Sequence, residues 1–191
     1  LNRDGSRFTD DAEYATKTYG EVFANRDCRL AQSVISPDYR KVVGGTLKPF
    51  APDFSVSYSG YQVIKFNIDD DSYEASSICT NSLPILRYAE ILLNYAEAKA
   101  ELGEFDDAVW DKTIRPLRER AGVNGNRPTQ IDPYLQNYYY TVEDGNAKIS
   151  DKDILKIRRD RAIELLLEGR RYDDLMRWHL GYLLNKQWYG I

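Results

Sequence analysis

Apolar residues change their spacing near the middle of the chain. From Pro84 onward they fall at helical intervals: Leu86, Leu93, Ala96 and Ala100 form one stripe, widened by Ile85, Ala89, Leu92 and Tyr95. Gly103 stands where a glycine can end that helix with a positive φ. A second helix is predicted over Phe105–Arg120, closing at Gly122, and the short turn between the two sets them antiparallel. Pro116 lies inside this second helix and should kink or break it. A third long helix is predicted over Asp151–Glu168, with Ser150 as N-cap, Asp153 three residues on and Gly169 as its end. A further helix begins near Asp173 or Asp174 and carries Leu175, Trp178 and Leu183.

Before Pro84 the pattern is different. A short helix fits Asp11–Ala24, followed by a turn-rich stretch with Pro37, Gly44, Gly45 and Pro49. Ile64, Phe66 and Ile68 then alternate with Lys65 and Asn67, the period of a half-buried strand. With Gly60 as a turn, Val56–Ser59 and Tyr61–Ile68 are predicted to form a small β-hairpin. Residues 123–150 are again turn-rich, with Gly125, Pro128, Pro133 and Gly145 around Tyr134 and the run Tyr138–Tyr140. The expected organisation is therefore an irregular segment 1–83, a helical hairpin 84–122, a tyrosine-rich loop 123–150 and C-terminal helices 151–191. The fold class is mainly α, with irregular loops and one small β-hairpin.

Composition narrows the function. The 191 residues carry a net charge of −4 with both signs interspersed, and no basic block tracks a phosphate backbone, so nucleic acid is not an expected partner. No apolar run approaches the roughly 18 residues of a spanning helix. The polar start, Leu1–Asp11, is no secretory signal, and the chain does not begin with Met, so a fragment or processed form is expected. Cys28 and Cys79 share no metal or redox spacing and leave the compartment open. His179 is the only histidine, which removes two-histidine metal motifs and ties any nucleophile–histidine machinery to the last helix; packing is its simpler role. Glycine-rich phosphate loops are missing. Asp69, Asp70 and Asp71 lack the rest of a calcium loop and read as a solvated turn. No catalytic residue, metal ligand or cofactor is expected.

Two groups of side chains remain. Arg158, Arg161, Glu164 and Glu168 recur at spacings of three and four, and Arg170, Arg171, Asp173, Asp174 and Arg177 crowd the following turn. These read as charge-assisted clamps between helices, with a ligand role second. Aromatic residues are abundant, with 15 Tyr, 6 Phe and 3 Trp, and tyrosine suits both wet binding surfaces and the polar edge of a helical core.

Several blocks, taken in order, resemble a known family. They are NRDCRLAQSVISPDY (Asn25–Tyr39), SGYQVIKF (Ser59–Phe66), NSLPILRYAEILLNYAEAKAELG (Asn81–Gly103), LRERAG (Leu117–Gly122) and DRAIELLLEGRRYDDLMRW (Asp160–Trp178). Together they resemble the C-terminal portion of the SusD/RagB family, and LGEFDDAV (Leu102–Val109) resembles the middle of a tetratricopeptide repeat. Cys28 stands where the family usually has proline, and Asp160 where it usually has glutamate. The resemblance implies a SusD-like fold with a tetratricopeptide-type helical hairpin. It also implies a cell-surface lipoprotein of the Bacteroidetes outer membrane, held by an N-terminal lipid anchor absent from this chain. Such a protein captures an oligosaccharide or other nutrient without catalysis and delivers it to a SusC-like TonB-dependent transporter. No family binding motif maps residue by residue, so the candidate ligand residues rest on chemistry: Tyr39, Phe54, Tyr58 and Tyr61, flat rings in the irregular segment, with the Tyr134–Tyr140 loop second. The alternatives are a tetratricopeptide-like protein-interaction adaptor with no sugar site, and a glycoside-processing enzyme, which requires two carboxyl groups facing one cleft.

Overall fold

Helical spacing in the sequence is realised as helices that pack through one apolar side and are locked by ion pairs. The structure is a computed structural model that describes residues 1–75, 77–139 and 149–186. The described residues divide into two units, one holding Leu1–Ile85 with Ala121–Val123, the other Leu86–Arg120 and the described residues from Asn124 to Lys186. In chain order the elements are α1 (Tyr19–Phe23), α2 (Arg29–Ser33), β1 (Arg40–Val43), β2 (Thr46–Pro49), α3 (Tyr88–Glu101), α4 (Asp107–Lys112), α5 (Ile114–Arg120), α6 (Pro133–Tyr138), α7 (Lys152–Glu164) and α8 (Arg170–Arg177). The mainly α class with a small two-stranded sheet is what the structure has. No helix among the described residues is long and apolar enough to cross a membrane.

The helical unit has two cores. In the first, α3 packs on α4, α5 and α7, and buries Leu93, Ala96 and Ala100 against Trp110, Ile114, Leu117, Ile157 and Leu165. Leu86 and Ile85 stay exposed because the helix begins only at Tyr88, with Arg87 as its N-cap. The second core joins Leu135, Tyr139, Leu155, Leu175, Trp178, Leu180 and Leu183. The predicted second helix is two helices, interrupted at Thr113. Pro116 explains the break: it has no N–H to offer the Lys112 carbonyl, and its ring crowds that turn. The Thr113 hydroxyl donates to the Val109 carbonyl at 2.6 Å and seals the gap.

Arginine–carboxylate pairs tie these helices together, as the clamp reading expected. Arg118 meets Asp160 at 3.0 Å, Arg161 meets Asp174 at 2.7 Å, and Arg177 bridges Asp174 at 2.9 Å and Glu97 at 2.5 Å. Arg87 holds Glu164 and Glu168 at 3.0 and 2.6 Å. Three boundaries differ from expectation. Asp151, not Ser150, caps α7, accepting from the Asp153 and Ile154 amides. The helix stops at Glu164, and the chain takes positive φ at both Leu167 and Gly169. Gly169 then starts α8 at Arg170, three or four residues earlier than expected. Residues 123–150 are not all loop, since α6 begins at Pro133 behind an Asp132 cap; Tyr140 and Gly145 lie outside the described residues.

The N-terminal unit is built mainly from turns. The expected helix Asp11–Ala24 is a 3-10 turn at Tyr14–Thr16 and the short α1, because Thr18 and Glu21 form a capping box that starts a new helix at Tyr19. The β-hairpin lies at β1 and β2, not at Val56–Ile68. Gly44 and Gly45 both take positive φ, which matches the twist of a two-residue hairpin turn. The expected strand before Gly60 is wound up by Asp53, whose side chain and carbonyl take the amides of Ser55, Val56 and Ser57. Residues 62–64 pair instead with the stretch after α2: Ile35 N–H donates to Gln62 at 2.9 Å and Ile64 N–H to Ser33 at 2.9 Å. Cys28 and Cys79 are both free.

Candidate functional site

The N-terminal unit contains a cavity of about 270 Å³, lined by side chains from the β1–β2 hairpin and the segment Gln62–Cys79. Its aromatic wall is Tyr39, Phe50 and Phe66, and its polar groups are Lys41, Gln62, Asn67 and Glu74. Tyr39 precedes β1 and Phe50 follows β2, so the hairpin brings the two rings together edge to face at 6.3 Å. Lys41, alternating inward on β1, is buried; its ammonium lies 5.0 Å from the centre of the Phe50 ring and pairs with Glu74. Phe66 holds φ +66°, a strained conformation for a bulky side chain, and such strain often marks a ligand site. An apolar wall with a few fixed polar groups is the usual make-up of a small-ligand pocket.

Tyr39 is fixed by a hydrogen bond of 2.6 Å from its hydroxyl to the Asp69 carboxylate. Burial and the negative charge it faces both push its phenol well above the ordinary range, so it stays a hydroxyl donor. The aspartate run is consumed by the fold. Asp69 receives Tyr39, Asp70 caps the turn at Asp71–Tyr73, and Asp71 accepts the Gly44 amide at 3.0 Å. Among the described residues no cluster of His, Cys, Asp and Glu is arranged to hold a metal ion.

Of the four candidate residues, only Tyr39 lines the cavity. Tyr61 is half-buried and packs on Tyr19, ring centres 6.3 Å apart. Phe54 and Tyr58 are 70% and 94% exposed, on the turn organised by Asp53. Gly60 lies buried beneath Phe54, whose ring edge is 3.6 Å from where a Gly60 Cβ would sit. Gln62 links turn and cavity: it lines the cavity, and its side-chain oxygen accepts the Asp53 amide at 2.8 Å. Lys41, Phe50, Gln62, Phe66 and Glu74 were not foreseen. No sequence pattern pointed to Lys41, and nothing in the sequence joins it to Glu74 across 33 positions. Of the second-ranked tyrosines, Tyr134 stacks on Tyr138 at 6.0 Å, while Tyr139 is buried in the helical core.

The sequence matches the SusD family over residues 1–190. The chain belongs to the SusD family. A similar solved structure is a SusD-like carbohydrate binding protein from Bacteroides fragilis NCTC 9343, 28% identical, with a TM-score of 0.62; the match covers 95% of this chain and 34% of that one. This SusD-family chain therefore spans about a third of the length of that protein. Comparison with curated proteins gives no match.

Proposed function

We propose that this chain belongs to a cell-surface protein that captures an oligosaccharide and delivers it, chemically unchanged, to a SusC-like TonB-dependent transporter of the outer membrane. A lipid anchor would hold it at the membrane. The observation that carries the reading is the pairing of a polar, aromatic-walled cavity at Tyr39 with the exposed rings of Phe54 and Tyr58, in a chain of the SusD family. Flat rings stack on sugar faces with little entropy to lose, and Tyr39, Lys41, Gln62, Asn67 and Glu74 offer both donors and acceptors to hydroxyl groups. The carbohydrate binding of the Bacteroides fragilis relative supports a glycan over other nutrients.

Calorimetry against a panel of oligosaccharides tests this. Binding at millimolar or tighter, about 4 kcal/mol or more, is expected. Chromatography of the recovered sugar should show it unchanged; a cleaved product would instead favour the glycoside-processing alternative. A tetratricopeptide-like adaptor without a sugar site is the second reading. It is favoured by Tyr88, Ile91 and Tyr95, which recur at helical spacing along α3 and remain exposed. Silence across a broad sugar panel would move the assignment to that adaptor.

A further inference from the structure

Buried arginines in this protein are normally matched to a carboxylate by hydrogen bonds. Arg29 meets Asp27 at 2.6 Å, Arg118 meets Asp160 at 3.0 Å, and Arg161 meets Asp174 at 2.7 Å. Arg158, on α7, breaks that rule. It is only 8% exposed, and among the described residues its closest carboxylate is Glu101 at 3.7 Å and its enclosed Nε has no partner. Its guanidinium lies over Trp178, 4.7 Å from the ring centre, and Arg177 flanks the same ring at 4.8 Å. A buried cation lacking a hydrogen-bonded counter-ion is costly to the fold, and such an exception calls for a function.

Arg158 lines a cavity of about 620 Å³ in the helical unit, together with Asn94, Glu97, Glu101, Arg177 and His179. Glu97 is directed elsewhere: its oxygens accept from Arg177 at 2.5 and 2.6 Å and from the Trp178 indole N–H at 2.5 Å. The volume suits a sugar residue. A bare anion would leave the acceptor of the wall unmatched, since the half-exposed Glu101 carboxylate repels it and needs a donor instead. A sugar that carries its own carboxylate satisfies both halves of the wall.

We infer that this cavity is a second binding site for a uronic-acid sugar, in which Arg158 takes the carboxylate, Glu101 receives a ring hydroxyl, and the Asn94 amide, whose oxygen is held by Arg161 at 2.7 Å, donates to another. The inference rests on the glycan-capture reading and narrows its substrate class to acidic glycans. Because His179 is the only histidine and borders the cavity, its imidazole resonances report on the site directly.

Titrating the protein with glucuronate, glucose and acetate under nuclear magnetic resonance makes the test. Glucuronate should shift the His179 signals saturably, while glucose and acetate at equal concentration leave them in place. Arg158→Met keeps an apolar stem on Trp178 and removes the unmatched charge, so the fold should survive while glucuronate affinity drops about tenfold or more, as loss of a charge-assisted pair demands. Should that variant not fold, Glu101→Gln supplies the opposite sign: without the competing carboxylate, glucuronate should bind about threefold more tightly, the scale of a partly exposed charge pair. Unmoved His179 signals, unchanged affinity in the variants, or acetate binding as well as glucuronate would each overturn the inference. Neutral oligosaccharides bound in the same protein would show that the capture reading survives that failure; no sugar bound at all would remove both.

Discussion

The helical unit and the N-terminal unit reach stability by different routes, and the difference separates holding a shape from displaying chemistry. The helical unit contains both apolar cores of the described residues, and around them a lattice of arginine–carboxylate pairs. Among the described residues of the N-terminal unit the buried apolar side chains are Val34, Ile35, Ala121 and Val123. Its shape comes from turns, a two-stranded hairpin and side-chain hydrogen bonds such as Tyr39 to Asp69. A segment that needs few apolar side chains for a core can leave Phe54 and Tyr58 in solvent. Substitutions should accordingly be expensive in one unit and cheap in the other, while ligand affinity should show the reverse order.

The largest loss is expected at Trp110. It is 1% exposed, edge-on to Phe105, and its indole donates to the Gly125 carbonyl at 2.7 Å. Trp110→Ala should destabilise the protein by about 3–5 kcal/mol through the cavity it leaves. For a chain of this length the melting midpoint should drop by on the order of 10 °C, read by calorimetry. A shift of a degree or two would mean that the first core is not the main support of the helical unit.

Glu97 probes the ion lattice. Burial alone would push its carboxyl up, but hydrogen bonds from Arg177 and Trp178, with the charges of Arg177 and Arg161, bring it below the ordinary glutamate value. A carboxyl depressed in the folded state adds stability that is fully present above its unfolded value, about 4.3, and is lost as pH falls through the lower folded value. Stability from this group should therefore be flat between about pH 7 and 5, and decline below about pH 4.3. Glu97→Gln should cost about 3 kcal/mol at neutral pH, because Arg177 loses a buried partner, and should flatten the acid decline. Denaturant titrations at several pH values give both quantities, and an unaltered acid decline would count against this account of Glu97.

In the N-terminal unit the same logic gives a smaller number. Tyr39→Phe keeps the ring against Phe50 and deletes only the hydroxyl that meets Asp69. A loss of about 1–2 kcal/mol is expected, the worth of one hydrogen bond to a charged acceptor. Oligosaccharide affinity should weaken as well if the cavity holds sugar. A stability loss with unchanged affinity would make Tyr39 a structural residue only.

The contrast between units was also a contrast in what could be read from sequence. Gly103, Gly122 and Gly169 punctuated the helices because each takes a positive φ that side chains resist, and the stripe Leu93, Ala96, Ala100 carried the core face. Local rules placed the long helices there, though not every boundary. The N-terminal unit defeated them: the alternation of Ile64, Phe66 and Ile68 suggested a hairpin with its neighbours, whereas residues 62–64 pair with Ser33–Ile35. The true hairpin turn, Gly44–Gly45, was visible as a turn but not as a strand connector. Helix capping failed by a single residue, since Ser150 and Asp151 are both competent caps and only the observed amide geometry selects Asp151. In the candidate site, flat rings in loops were legible by type, yet Tyr39 joins the cavity through Asp69 and Lys41 through Glu74, pairings 30 and 33 positions apart that no local pattern encodes.

Tyr58 gives the smallest effect on stability and the sharpest separation of the two units' roles. Its side chain is 94% exposed and makes no ring contact among the described residues, so the folded state loses almost nothing when it is cut back. Tyr58→Ala should leave the melting midpoint where it is, with a stability change within about 0.5 kcal/mol. A ring that stacks on a sugar should nevertheless contribute about 1 kcal/mol, so affinity for a bound oligosaccharide should fall several-fold by calorimetry. Loss of affinity at constant stability would place ligand contact on the exposed turn, and would explain why so large an aromatic side chain is left in water. Constant affinity would instead confine any sugar to the Tyr39 cavity and leave Phe54 as the remaining exposed ring to test.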